Sequence, residues 1–308
     1  VATQPSWFYV MVVVTVLLFT ELKHTFTELA QRMKNDEMIT LAKFLAISGI
    51  ILPMLPNENL IPDINLTPYT VWLATVVVSG ISYLSYLLRR YVFHESGILV
   101  SGIIGGLYSS TATISVLARK SRKAPAQEAP EYAAAMLLAV SMMFLRFLIL
   151  IGIFSKAILA EIYPYLLIMS FVTAGVAWYL HRKRKSIPVT GEEAEEEDSS
   201  NPLEFKVALI FAVLFVIFTI VTHYTLIYTG TGGLNVLSFI AGLSDITPFI
   251  LNLLQGSGVA VVVVTACCMQ AIVSNIAVNM CYALFFAGGK SPLRRWVLRG
   301  FGGVIAVN

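Results

Sequence analysis

Charge is the scarcest property of this chain. Asp, Glu, Lys and Arg make up 13% of its 308 residues, about half the share of an ordinary soluble domain. So few charges leave no basic surface for a nucleic acid and no solvated shell for a soluble enzyme. Cysteine is almost as rare. Its three copies, Cys267, Cys268 and Cys281, fall in one apolar stretch, which excludes a disulfide framework. No basic run precedes Trp7 as it would in a signal peptide, so the expectation is a chain whose first residue, Val1, lies inside a longer protein. A phosphate-binding Gly-Lys-Ser/Thr loop is missing. So are metal-enzyme spacings of His, Cys and Glu and any nucleophile–base arrangement, and the expectation is a protein that is not an enzyme.

What is plentiful is apolar surface. Hydrophobic residues reach 57% and the mean hydropathy is +0.78, more than one soluble core can hide. A hydrocarbon layer about 30 Å thick takes roughly 20 apolar residues per helix. Candidate segments run over 7–22, 38–55, 68–91, 97–118, 131–154, 158–181, 204–228, 233–254 and 258–287. Residues 296–308 are too few to cross, and the charged stretch 21–37 reads as a connecting or interfacial helix. The fold expected is an all-α polytopic membrane protein.

Loop charges refine this count. If every segment crosses, the 17 loop Lys and Arg residues divide nine against eight, which is no bias at all. If 97–118 and 233–254 each enter and leave on one side, sixteen fall together and only Lys156 falls opposite, as the positive-inside rule asks. Composition agrees. The first segment carries Gly105-Gly106-Leu-Tyr-Ser-Ser-Thr-Ala-Thr113 and the second Ala241-Gly-Leu-Ser-Asp-Ile-Thr247. Gly weakens helices, and hydroxyls take up the backbone groups so released. The bland account, close helix packing on a Gly102/Gly106 face, explains the glycines but not the hydroxyl run or Asp245. The expectation is therefore about seven full transmembrane helices plus two re-entrant or broken-helix hairpins.

Gly106-Leu-x-Ser109-x-Thr111 aligns with Gly242-Leu-x-Asp245-x-Thr247. Farther on, Ala139-Val-Ser141 resembles Ile272-Val-Ser274, which sets Arg146 opposite Asn279. Each hairpin is flanked by long spans, giving an inverted span–hairpin–span repeat with a site expected where the two hairpins meet. The organisation expected is 1–66 as N-terminal helices, 67–181 as the first unit with its following helix, 182–203 as a charged linker, and 204–308 as the second unit with a terminal helix.

Ionisable groups at membrane depth are functional candidates, and Asp245 and Arg146 are the clear ones. Asp245 offers a hard oxygen for a cation or proton, and an ion pair with Arg146 is its structural alternative. Ser109, Ser110, Thr111, Thr113 and Thr247 are expected to line the site with Asn279. Arg146 is expected to act as counter-charge, or to bind an anion together with the half-helix N-termini. Asn252, Gln270 and Asn275 read as interhelical hydrogen-bonding groups.

The two quoted motifs, with Ala118-Arg119, the span carrying Arg146 and the opening Leu41-Ala-Lys-Phe-Leu45 to Leu52-Pro-Met-Leu-Pro56, resemble the DUF4010 membrane region of MgtC/SapB-like proteins. The resemblance implies a multi-pass protein of a prokaryotic plasma (inner) membrane with a magnesium-transport association. Two positions depart from the family pattern: Thr247 stands where a second acid is usual, and Asn279 where a basic residue is usual. A single carboxylate suits a proton or Na⁺, or Mg²⁺ kept partly hydrated. The reading is thus a transporter or channel for a small inorganic ion, a cation first, with bound Mg²⁺ or Na⁺ and no organic cofactor. A non-transporting regulatory subunit and a small-anion transporter built on Arg146 are its alternatives. The partners expected are the lipid bilayer, the ion and a second copy of the chain in a homo-oligomer, with no nucleic acid.

Overall fold

The computed structural model describes residues 35–61, 64, 66–92, 97–183, 205–256, 259–289 and 291–307, with 13, 17 and 20 as isolated positions. The expected span 7–22, most of the stretch 21–37 and nearly all of the linker 182–203 lie outside them. Two compact bodies are present, Val1–Ile51 and Leu52–Asn308. In the first, helix α1 (Asn35–Ala46) runs on into a π-helical turn, Ile47–Ile51.

The second body holds α2 (Pro68–Leu87), α3 (Ile98–Lys120), α4 (Ala129–Phe154), α5 (Lys156–Arg182), α6 (Phe205–Ala241), α7 (Ile246–Gln255), α8 (Val261–Ala287) and α9 (Leu293–Val307). Among the described residues, the only β pairing is an isolated bridge between Ile61 and Ile64. Among the described residues, six helices are long and apolar enough to cross a membrane. Ile149, Phe171, Ile217 and Phe285 are exposed large apolar side chains on four of them, a surface that lipid covers and water would not. The protein is an all-α polytopic membrane protein.

The segment expected over 38–55 is helical over Met38–Met54, 17 residues with a π-helical turn at Ile47–Ile51. The long helix α3 is broken where the first hairpin is expected. At Ser109 its backbone is extended (φ −158°, ψ 111°), and a Cβ built on Gly105 would strike the Thr113 side chain. Residues eight apart in a continuous helix are separated by about 12 Å along the axis, so the chain doubles back at Ser109. Gly102 and Gly106 lie against the backbone of Ala135 and Ala139. The first half of α3 therefore runs alongside α4 in the same direction, and the second half returns to where α4 begins.

The second hairpin is built the same way. Helix α6 breaks at Gly230 (φ 64°, ψ −154°), a conformation essentially restricted to glycine. A Cβ on Gly233 would meet Thr225, again eight residues back. The span thus ends near Thr229, and 231–241 is the first half of a hairpin whose second half is α7. Gly242 packs on Ala271 and Ser274 of α8, and Ser274 donates to the Phe239 carbonyl at 2.8 Å.

The ends of these elements fix their sides. Arg122, just past α3, donates to the carbonyl of Phe285 near the end of α8 at 3.2 Å, and Arg119 lies 4.5 Å over the Phe286 ring. Helix α8 begins at the mouth of the second hairpin and ends at the mouth of the first. Had both hairpins crossed fully, the two ends would be on opposite faces. Single cysteines at Lys123 and Gly289, in a background with the exposed Cys281 changed to serine, are expected to react with an impermeant thiol reagent from the same side of sealed vesicles. Labelling from opposite sides would overturn this arrangement.

Small residues let the central helices approach closely. Ala133, Ala134, Ala135 and Ala139 of α4 are fully buried. Ser141 and Ser170 join α4 to α5 by donating to each other's carbonyls, at 2.9 and 3.2 Å. Helix α9 has 15 described residues. It buries Leu293, Val297, Gly300, Phe301 and Val304 along one face, with Gly300 against Leu137 and Leu180.

Candidate ion-binding site

Both hairpins break at a residue that caps the helix following it. Ser109 Oγ accepts from the amide of Ala112 at 3.3 Å. Asp245 Oδ1 accepts from the amide of Thr247 at 3.0 Å and N-caps α7. Such caps satisfy N–H groups that a helix start leaves free. The carbonyls just before each break also need donors, and each receives one from the long helix that comes next in the chain. Arg146 Nη1 on α4 donates to the Tyr108 carbonyl at 2.7 Å. Asn275 Nδ2 on α8 donates to the carbonyls of Gly242 and Ser244 at 3.1 and 3.3 Å.

Between the two tips lies a cavity of about 400 Å³. Six of the eight expected site residues line it: Ser109, Ser110, Thr111, Arg146, Asp245 and Thr247. Asp245 is exposed, and its charge interacts with that of Arg146. Arg146 makes no other hydrogen bond among the described residues, and its Nε is buried without a partner.

Two expected residues are elsewhere. Thr113 is turned towards Gly105 inside the first hairpin. Asn279 is fully buried behind Asn275, donating to its Oδ1 at 3.1 Å. Asn279 does not take the role of Arg146 at the tip; Asn275, four positions earlier, donates to the carbonyls there. Asn252 is interhelical as expected, donating to Thr222 Oγ1 at 2.8 Å.

Sequence reasoning set Ser244 beside Asp245 at the second tip but did not place Ser79, Ser82, Tyr108, Asn275 or Tyr282 at the cavity, which all six line. A signal existed for α2, where Thr75, Ser79 and Ser82 repeat hydroxyls at helical spacing along an otherwise apolar span. Replacing Asn275 by alanine should strip two carbonyls, that of buried Gly242 among them, of their donor. The expected cost is about 1–3 kcal/mol, read as a lower midpoint of thermal unfolding in detergent. An unchanged midpoint would mean that these bonds do not hold the tip.

Fold and site together define a multi-span helical membrane protein with two helix-break hairpins converging on a polar cavity. The chain belongs to the family described as "Domain of unknown function (DUF4010)", whose model matches residues 76–287. The match includes both hairpins and ends on the last residue of α8. An uncharacterized protein of Aquifex aeolicus (strain VF5) is 26% identical over 201 residues, covering 63% of this chain and 84% of that protein. No solved structure matches.

Proposed function

We propose that the protein is a secondary transporter for a small inorganic cation, taken up between two inverted hairpins with Asp245 as its charged ligand. One observation carries this reading. Each unit needs an N-cap at its break and a donor for the carbonyls before it. In the first unit a neutral serine caps and a charged arginine donates; in the second a charged aspartate caps and a neutral asparagine donates. Every structural task done by a charge in one unit is done by a neutral group in the other. The two charges are therefore surplus to the scaffold, and they are the two that line the cavity. Ionisable groups kept at such depth mark ion pathways.

Asp245 and the hydroxyls of Ser109, Ser110, Thr111 and Thr247 form an oxygen-rich wall suited to a hard cation or a proton. Opposed hairpins around a central site suit alternating access. The face bearing Arg119 and Arg122 is assigned to the cytoplasm by the loop-charge bias. The magnesium association rests on the MgtC/SapB resemblance alone, and Na⁺ and H⁺ stand beside Mg²⁺ as candidates. A regulatory subunit binding a partner through Gly102 and Gly106 is disfavoured, because α4 already covers both.

The test is flux into proteoliposomes, screening H⁺, Na⁺, K⁺ and Mg²⁺. Saturable uptake of one of them is expected. Folded protein that moves none of the four would overturn the reading.

A further inference from the structure

We infer that the cavity holds a small inorganic oxyanion on Arg146 at the same time as the cation on Asp245, so that each ion strengthens the binding of the other. This rests on the cation reading above and adds a second ligand to the same site.

The argument begins with charge balance. Arg146 and Asp245 carry opposite charges and line one cavity. A cation on Asp245 alone leaves Arg146 uncompensated among apolar helices, where an unpaired charge is costly. An anion on Arg146 alone leaves the exposed Asp245 carboxylate without a counter-charge, at a smaller cost. Filling both restores neutrality, and linkage then requires that each ion raise the affinity for the other by the same factor.

The donors on the arginine side are of a kind that an oxyanion needs. Arg146 Nη1 is committed to Tyr108, but Nε is buried and unpartnered, leaving part of the planar fork unused. That fork matches two oxygens of one anion. Beside it, the second half of α3 begins at Ser110 and presents its N-terminal end, which favours negative charge. Ser110 and Thr111 line the cavity there, and their hydroxyls take no protein partner among the described residues. Ser109 Oγ accepts from Ala112, so its own proton remains available. Several directional donors converging from different elements suit an anion with several oxygens better than a spherical halide. The cavity, about 400 Å³, has room for both ions with water, which takes roughly 30 Å³ per molecule in the liquid.

The test is calorimetric titration of the purified full chain in detergent with sulfate, phosphate and chloride. Each is added as its choline salt and again with Na⁺ or Mg²⁺ present, at two pH values. An oxyanion is expected to bind, at least tenfold more tightly in the presence of the cation or proton that Asp245 takes. Arg146→Gln should abolish anion binding, since its amide still serves Tyr108 as Asn275 serves Ser244. Should that variant fail to fold, Arg146→Lys keeps the charge without the fork and should weaken oxyanion binding at least tenfold. Asp245→Asn should keep anion binding and lose its dependence on the cation. No oxyanion bound under any condition, binding unchanged in Arg146→Gln, or binding indifferent to the cation would each overturn the inference. Cation flux that Asp245→Asn removes, but that persists with only an impermeant organic anion present, would sink this inference and leave the transporter reading standing. Oxyanion binding with no cation effect on binding or flux would sink both.

Discussion

Asp245→Ser is expected to fold normally and to lose cation transport by roughly 100-fold, equivalent to about 2.8 kcal/mol at tenfold per 1.4 kcal/mol. Serine is the residue that the first hairpin uses at the matching break, where Ser109 caps the next helix. Serine and aspartate are close to equal as N-caps, so the Asp245–Thr247 bond has a ready replacement. What disappears is the carboxylate charge facing the cavity. The measurement pairs a thermal midpoint in detergent with initial flux in proteoliposomes. Retained flux would show that Asp245 is only a cap, and the cation reading would fall. A collapsed midpoint would show that the two breaks are not interchangeable, removing the observation on which that reading stands.

Gly106→Ala should be among the most damaging single-methyl additions at the described residues. A Cβ there would sit on the Cα, carbonyl carbon and oxygen of Ala139, and backbone on the receiving side cannot step aside as a flexible side chain can. The hairpin must lift from α4, at a cost beyond the 1–3 kcal/mol usual for an overpacked methylene. Because Arg146 reaches Tyr108 from the same helix, the shift would also break the carbonyl cap and deform the cavity wall. Gly80→Ala is the control. A Cβ at Gly80 meets nothing within 4 Å, so there the change should be neutral, or mildly stabilising by up to ~1 kcal/mol from helix propensity. Equal midpoints for the two variants would refute the close contact of α3 with α4.

The hairpins were legible in the sequence because two unrelated signals agreed there. The glycines and hydroxyls at 105–113 and the single acid at 245 marked weak helix, and the loop charges balanced only if both segments turned back. Side-chain direction within the hairpins was not legible. The extended backbone at Ser109 resets the helical phase, so a 3.6-residue period carried through the break misplaces the residues beyond it. Thr111 meets the cavity while Thr113 faces Gly105. The same limit hid Asn275. The match of Ser141 with Ser274 fixes a register along α4 and α8, but the register of each helix against its own hairpin tip differs by about one turn. The partner of Ser244 is thus found one turn before Asn279.

The glycine contacts and tip hydrogen bonds also decide where the molecule can yield. The first tip is fastened to α4 through Gly102, Gly106 and Arg146. The second is fastened to α8 through Gly242, Ser274 and Asn275, with α7 tied back to α6 by Asn252. Each tip is a rigid jaw welded to its own mount, and the cavity is the seam between the jaws. Arg146 rides on one jaw and Asp245 on the other, so sliding of one jaw along the other would change their separation. The Arg119 and Arg122 contacts with Phe286 and Phe285 stitch the seam at one end, where any such sliding would be smallest.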